Sequence, residues 1–341
     1  MSAPLRLAIV GCGEIARWMA LFARLNRRIR LVACCDRTLP TAEAFAARFR
    51  IPHAYADYEA MFRQETPDAV YLAVPHDLHL EMACAAVEAG LPVLVEKPLA
   101  RTLAEGLEIV RRAAAAGVPV GINYQYRYDR GCYALAQAAR RGDLGELYYG
   151  RCHVPWQRQA DYFASGPWRG ELARAGGGTL LTQGSHALDV LLWAMNSPPR
   201  AATGLTARPK FPQVEVETLA LGIVELDNGA LIQIGSSMVV RPEQAVTLEL
   251  YGERGAALYS NRPLPHVRFR GRHVKRARPP VWGVHALQSS LEAFRAWVVD
   301  GRPYLTPAGE ALPVLAAVEA LYHSSQSGKK ETSALNTGAE P

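Results

Sequence analysis

A strand-length apolar run at residues 5–10 passes directly into Gly11-Cys12-Gly13-Glu14-Ile15-Ala16 and then into an apolar-periodic helix through residue 25. A buried strand that turns on glycines into a helix opens a βαβ unit. The handedness of such crossovers leaves few continuations other than a parallel sheet with helices on both faces. The following hundred residues keep the alternation. Strand patterns occupy residues 30–35, 68–74, 93–96 and 118–124, with a short extended piece at 53–56. Between them lie helical patterns at 41–49, after Asp57 as an N-cap, up to a stop at Gly90, and at 102–116. Six strands alternating with helices predict a doubly wound α/β domain over residues 1–124.

The glycine turn carries chemistry as well as topology. A G-x-G-x-x-G/A turn brings the backbone close to a pyrophosphate and presents free N–H groups at a helix N-terminus. Gly11, Cys12, Gly13, Glu14 and Ile15 are therefore candidate cofactor contacts. Asp36 ends the second strand 20 residues beyond Ala16, where an acid accepts hydrogen bonds from an adenosine ribose. Turn and acid together read as a dinucleotide site. Asp36 favours NAD by repelling a 2′-phosphate, while Arg37 beside it keeps NADP in play.

Two further strand ends bear polar residues where open α/β sheets keep their ligands. One reads Val74-Pro75-His76-Asp77-Leu78-His79, and its histidines either bond the first turn of the next helix or face the cofactor. The other reads Val93-Leu94-Val95-Glu96-Lys97-Pro98. Taken alone, Glu96 and Lys97 read better as a surface pair before a helix. An X-Pro bond goes cis for only about 0.5–1 kcal/mol, so Pro98 could aim the lysine. Lys97 is also the only lysine before residue 210, in a chain with 38 basic residues and a net charge of +6.

Length and composition bound the rest. At 341 residues the chain predicts two domains, and 49% hydrophobic with 21% charged residues is a globular balance. No apolar run reaches membrane-spanning length, and the N-terminus enters a strand pattern with no room for a signal sequence, so the expected location is the cytoplasm. The six cysteines lack metal-ligand spacing and are expected as reduced, buried thiols, with no metal implied.

After residue 124 the pattern changes, predicting a second, α+β domain over 125–323 and a polar, loose tail over 324–341. A helix at 133–141 precedes strands from residue 147 and at 201–207, 214–225, 230–238, 245–251 and 256–259, with Asp227-Asn228-Gly229 as a hairpin turn. An open, mostly antiparallel sheet with helices on one face follows. A second subunit, in a homodimer or homotetramer, is the usual cover for the other face. Within this region Gly176-Gly177-Gly178 precedes a helical pattern from Leu180 to Trp193 that carries Thr182, His186 and Asp189 on roughly one side. The glycines serve close packing or close approach of a substrate. Trp156, Arg158, Tyr162, Trp168 and Arg169 combine rings that stack on sugars with guanidinium forks for carboxylates or phosphates; packing beneath a loop accounts for the rings equally well. The basic segment 262–278 reads as a solvated hairpin around Gly271, without the stacking platforms of a nucleic-acid site.

These motifs closely resemble the glucose-fructose oxidoreductase and inositol dehydrogenase (Gfo/Idh/MocA) family. The glycine turn, Asp36, the segment 67–75 with His79, and above all Glu96-Lys97-Pro98-Leu99-Ala100 carry the likeness, which spans nearly the whole chain. It implies a Rossmann domain followed by a substrate domain, and hydride transfer between NAD(P) and a sugar, sugar derivative or cyclic polyol. It implies Lys97 beside the nicotinamide and the reacting hydroxyl, a cis Pro98, and His186 meeting Lys97 across the cleft as acid/base. Val74, Pro75, His76, His79, Glu96 and Gln125 would join the cofactor contacts. Lys97, Arg127, Arg158, Tyr162, Trp168, Arg169, Thr182 and His186 would join the substrate contacts. Thr182 departs from the pattern: many sugar and inositol dehydrogenases of the family carry aspartate there. Thr-Gln resembles branches acting on nucleotide-linked or otherwise substituted sugars. Two rivals stay open: a glycoside hydrolase that oxidises its sugar transiently on retained NAD, and a non-catalytic NAD or sugar sensor.

Overall fold

The computed structural model describes residues 3–271, 274–281 and 283–336; Arg272 and His273 of the basic segment and the last five residues of the tail lie outside the described residues. The chain divides into two compact units, each discontinuous in sequence. The first comprises residues 1–100, 104–125 and 280–309; the second comprises 101–103, 126–279 and 310–341.

In the first unit, strands β1 (Leu5–Val10), β2 (Ile29–Cys35), β3 (His53–Tyr55), β4 (Ala69–Leu72), β5 (Val93–Val95) and β6 (Val120–Ile122) form one sheet. Their order is β3-β2-β1-β4-β5-β6, all pairs parallel. This is the doubly wound order, with its switch point between β1 and β4. The apolar runs are buried on both faces, as helices on both sides require. Local signals act as read: Asp57 accepts the N–H groups of Glu59 and Ala60 at the start of helix Tyr58–Glu65, and Gly90 takes φ +71° after helix His79–Glu88.

A linear reading does not foresee the return of residues 280–309 to this unit. Helix Ala286–Asp300 packs on helix Glu14–Leu25, and Glu292 accepts a 2.6 Å bond from Asn26. Residues 304–307 run along β6, whose Ile122 N–H donates to Thr306 and whose Gly121 leaves room for the ring of Tyr304. The returning segment therefore covers the edge that β6 would otherwise expose.

In the second unit, β7 (Leu147–Pro155), β8 (Pro199–Ala207), β9 (Leu219–Leu226), β10 (Leu231–Ser237), β11 (Thr247–Gly252), β12 (Gly255–Ser260), β13 (His266–Gly271) and β14 (Glu331–Thr332) form an eight-stranded sheet. Its order is β13-β12-β11-β7-β10-β9-β8-β14; only β7 and β10 run parallel. Helices Arg130–Arg140, Ser185–Met195 and Leu312–Ser327 pack on it. Strand alternation leaves Leu205, Leu221, Ile223, Leu231 and Tyr251 exposed.

Three readings need correction. The strand expected from residue 214 begins at Leu219, because Glu215 and Glu217 leave the ladder to bond other loops. The basic segment supplies β13, and Gly271, at φ +105°, ends that strand rather than turning a hairpin; its close approach to Arg254 and Gly255 requires glycine. The tail is not loose from residue 324: Ser324 to Ser327 complete the last helix and β14 pairs with β8. All six cysteines are free and buried.

Candidate functional site

The glycine turn sits at the carboxyl end of β1. Gly11 adopts φ +90°, and a Cβ there would lie 2.2 Å from the carbonyl oxygen of Ala73, so only glycine fits between β1 and β4. Asp36 Oδ2 accepts the Cys12 N–H at 3.0 Å and ties the turn to the end of β2. Its other oxygen takes no protein donor among the described residues. Gly13 is the N-cap of helix Glu14–Leu25; no side chain caps that helix, and the space over Gly13 is open. The first-turn N–H groups are thus left without a side-chain cap, as at helix N-termini that take anions. Cys12 is buried, Glu14 is exposed, and Ile15 is half-buried. Gln125 Oε1, just past the last strand, is buried without a partner among the described residues. A positive-φ glycine cradle, an uncapped helix and an orphaned acceptor all fit a bound dinucleotide. Arg37 is exposed beside Asp36.

At the end of β5 the Lys97–Pro98 peptide is cis. Glu96, buried, accepts from Tyr71 Oη and Asn123 Nδ2 at 2.5 Å each and from the Lys97 N–H at 3.2 Å. Ser290 in turn donates to Asn123 Oδ1 at 2.8 Å, linking the returning helix to this network. Burial, then the Glu96 carboxylate, push the Tyr71 hydroxyl well above the usual phenol range, so it stays a donor. Glu96 is thus a buried acceptor beside the lysine's backbone N–H, placed to orient the lysine.

His79 is likewise engaged by protein groups. It is fully buried, with Nδ1 2.8 Å from the Pro98 oxygen and Nε2 3.0 Å from the Val74 oxygen. Burial lowers its basicity against those carbonyls, so the neutral ring donates to one of them at a time and fastens the end of β4 to the turn after β5. Its ring nitrogens are thereby committed to protein. His76, also buried, lies edge-on to it at 5.6 Å, and Val74 and Pro75 stay half-buried at the strand end.

The second unit holds its own cluster. Leu180–Gly184 forms a π-turn that leads into helix Ser185–Met195, a local break in helical register of a kind frequent at functional sites. Glu217 anchors the entry, accepting the N–H groups of Gly178 at 2.7 Å and Leu180 at 2.8 Å and the hydroxyl of Tyr322 at 3.0 Å. Burial pushes its carboxyl up to about 7 against those donors. The glycine triplet is explained by packing: a Cβ on Gly178 would lie 1.8 Å from the Glu217 carbonyl oxygen, and one on Gly177 2.3 Å from Tyr322 Oη. Thr182, expected at the substrate, donates its hydroxyl proton to the Gly178 carbonyl at 2.6 Å.

His186 is 4% exposed and stacks on Tyr126, with ring centroids 4.9 Å apart and planes 21° from parallel. The adjacent Arg127, expected to bind substrate, is committed to the same helix. Its Nε and Nη2 grip Asp189 at 2.7–3.1 Å, its Nη1 reaches Glu310 at 2.7 Å, and its guanidinium lies over Trp193. Burial pushes Asp189 up to about 6 while Arg127 pulls it down, leaving an anion at neutral pH. Tyr126 and Arg127 therefore hold the histidine's ring and its helix from one short segment.

The candidate sugar-binding residues come together. Arg158 lies over the rings of Trp156 at 4.9 Å and Tyr162 at 5.3 Å, and Arg169 over Tyr162 at 5.0 Å and Trp168 at 5.3 Å. Each ring therefore has at least one guanidinium over it. Tyr162 and Trp168 also pack on a small core of Phe163, Ala175, Phe211, Val214, Val216 and Met238.

Sequence reasoning missed Tyr71, Asn123, Ser290, Glu217, Tyr322 and Tyr126. Asn123 and Tyr126 had a signal, a polar side chain ending a buried strand and an aromatic next to an expected site arginine; Ser290 and Tyr322, contributed from distant sequence, had none. Among the described residues no group of His, Cys, Asp or Glu could hold a metal ion.

Residues 5–124 match the family model described as "Oxidoreductase family, NAD-binding Rossmann fold", and residues 133–258 match the GFO/IDH/MocA C-terminal domain. The chain is 26% identical to D-glucoside 3-dehydrogenase of Escherichia coli, over 96% of this chain and 97% of that protein. It is 26% identical to 1,5-anhydro-D-fructose reductase of Ensifer adhaerens, over 89% and 91%. Among solved structures, aldose-aldose oxidoreductase from Caulobacter crescentus shares the fold with a TM-score of 0.85 at 21% identity, covering 96% of this chain and 99% of that one.

Proposed function

The chain belongs to the Gfo/Idh/MocA oxidoreductase family, and from that premise we propose that it transfers a hydride between a nicotinamide cofactor and a hydroxyl-bearing carbon of a sugar, sugar derivative or cyclic polyol. The observation that carries this reading is the pairing of an open dinucleotide turn with a lysine whose backbone is fixed by a buried carboxylate. When bound, the nicotinamide supplies the acceptor or donor of the hydride. The chain's own residues handle binding and the proton. Lys97 hydrogen-bonds the substrate oxygen and stabilises its developing charge, a contribution that grows in a dry site. His186, set by its stack on Tyr126, takes or returns the hydroxyl proton as general acid/base. Glu217, Tyr126 and the Arg127–Asp189 pair position its helix.

The preferred cofactor is NAD, because a 2′-phosphate would meet the Asp36 carboxylate; Arg37 gives NADP a weaker purchase. Gln125 Oε1 accepts from the cofactor. The curated relatives act on a glucoside and an anhydro sugar, and a sugar-type substrate is carried over to this chain on that basis. A second copy covers the exposed Leu205, Leu221, Ile223, Leu231 and Tyr251.

The test offers NAD+ and NADP+ with a panel of aldoses, glycosides and cyclic polyols deuterated at each carbinol carbon. Deuterium appearing in reduced nicotinamide is expected. Cleavage of a glycoside with no net reduced nicotinamide selects the hydrolase rival, and tight NAD binding without transfer across the panel selects the sensor.

A further inference from the structure

We propose that Arg158 and Arg169, interleaved with Trp156, Tyr162 and Trp168, form an anion-binding subsite that selects substrates carrying a phosphate or carboxylate group. The inference rests on the oxidoreductase reading and deepens it by naming the charge of the substrate.

The argument begins with how this protein treats its other enclosed arginines. Arg127, 2% exposed, carries Asp189 and Glu310; Arg295, 3% exposed, carries Glu292 and Asp300. Each buried guanidinium has two carboxylates, as a cation withdrawn from water requires. Arg158 and Arg169 are half-buried, yet neither has a carboxylate within ion-pair distance among the described residues. Three acids of the neighbouring loops are engaged by other groups, while Asp161 is exposed and places no carboxylate within ion-pair distance of either arginine. Glu243 pairs with Arg262, Glu171 with Arg174, and Glu215 accepts the Leu172 N–H.

The stacking geometry explains how two like charges are held there and what they offer. Aromatic faces stabilise a guanidinium through its π face and leave its in-plane N–H edge open. Tyr162 takes both cations within 5.3 Å of its ring, with Trp156 and Trp168 at the two ends. Arg158 Nη1 and Arg169 Nη1 each donate to a backbone carbonyl, of Gln157 and of Tyr162, both at 3.3 Å. Arg158 Nε is buried with no partner among the described residues. An unsatisfied buried donor on a cation that lacks a counter-ion calls for an anionic acceptor, and the fork geometry of arginine suits the paired oxygens of phosphate or carboxylate. A guanidinium lies over each of the three rings, so a substrate that meets this surface meets the two cations with it. The loop rests on the Phe163–Phe211 core, which holds the stack in place.

The experiment is calorimetric titration of the NAD-loaded protein with glucose, glucose 1-phosphate and glucuronate, at low and moderate salt, alongside an assay of reduced nicotinamide. The wild-type protein is expected to bind at least one charged sugar tenfold or more tighter than glucose, about 1.4 kcal/mol, and more weakly as salt rises. The phosphate and carboxylate arms separate the two sources of charge. In the Arg158→Gln/Arg169→Gln variant the charged-to-neutral affinity ratio should fall toward one. The Arg158→Lys/Arg169→Lys variant keeps the charge without the fork and should retain an intermediate ratio, which also answers for a glutamine variant that fails to fold. Equal affinity for charged and neutral sugars, or a ratio that survives either double variant undiminished, overturns the subsite. Reduction of NAD by neutral sugars with no preference for charge overturns the subsite and leaves the oxidoreductase standing. Tight, arginine-dependent binding of charged sugars with no reduced nicotinamide from any substrate overturns the oxidoreductase and leaves the subsite.

Discussion

Gly178→Ala is the most localised perturbation of the helix that carries His186. The new Cβ would lie 1.8 Å from the Glu217 carbonyl oxygen and 2.7 Å from its Oε2. The gap must open by about 1.2 Å to reach the 3.0 Å below which real Cβ contacts essentially never fall. Neither oxygen can simply swing away, since the carbonyl accepts the Thr179 N–H at 3.0 Å and the carboxylate accepts the Gly178 N–H at 2.7 Å. Opening the gap breaks or stretches both. A backbone hydrogen bond contributes about 1 kcal/mol net and a charge-assisted one about 1.5–3 kcal/mol, and forced overpacking adds about 1–3 kcal/mol. A loss of roughly 3.5–7 kcal/mol follows. A shift of about 1 Å in the entry to the His186 helix should also lower kcat on the order of 100-fold. Urea unfolding followed by circular dichroism, with turnover measured on the folded fraction, reads both quantities. Gly309→Ala is the control: nothing lies within 4 Å of the added Cβ, so its effect should stay within about 0.5 kcal/mol. Equal behaviour of the two variants would refute the packing account of the glycine triplet.

Three further perturbations test neighbouring links. Arg127→Ala leaves Asp189 buried without its bidentate partner and should cost about 3–5 kcal/mol in urea unfolding. The Arg127→Leu/Asp189→Leu double variant should cost less than the single changes summed, and strict additivity would deny the coupling. Glu217 is raised from 4.5 to about 7 by burial, so between those values the folded state binds the extra proton and stability falls as pH rises. At about 1.4 kcal/mol per unit the fall is roughly 3 kcal/mol. Glu217→Gln should remove the fall above pH 6 and leave the part that Asp189, raised from 3.8 to about 6, contributes below it; an unchanged profile would assign the titration elsewhere. Asp36→Ser removes the carboxylate proposed to face the ribose and should shift the NADP-to-NAD ratio of kcat/KM by about tenfold or more toward NADP, whereas an unmoved ratio would place the selectivity outside β2.

The first unit was legible because its signals are local. Apolar runs, glycines and a capping aspartate act within a few residues of where they are read, so the alternation of strands and helices and the glycine turn between β1 and its helix followed from patterning. What escaped depends on contacts made at long sequence separation. Glu96 reads as a charged residue at a ligand edge, and only Tyr71, Asn123 and the returning Ser290 turn it into a buried acceptor. Arg127 reads as a substrate cation until Asp189 and Glu310 engage its donors. Thr182 and His79 follow the same rule, since a polar side chain near a site is as easily consumed by the backbone beside it. The stacked arginines at 158 and 169 were visible as residue types. Their lack of carboxylates was not, because pairing is decided by loops that sequence spacing does not align.

The central claim is that Lys97, aimed from the end of β5, assists hydride transfer. Its most direct test is single-turnover formation of reduced nicotinamide by wild type and Lys97→Ala on one substrate, beside the dissociation constant of NAD for each. The account predicts a rate lower by about two orders of magnitude or more with cofactor affinity nearly unchanged. An unaltered rate in the variant would contradict it.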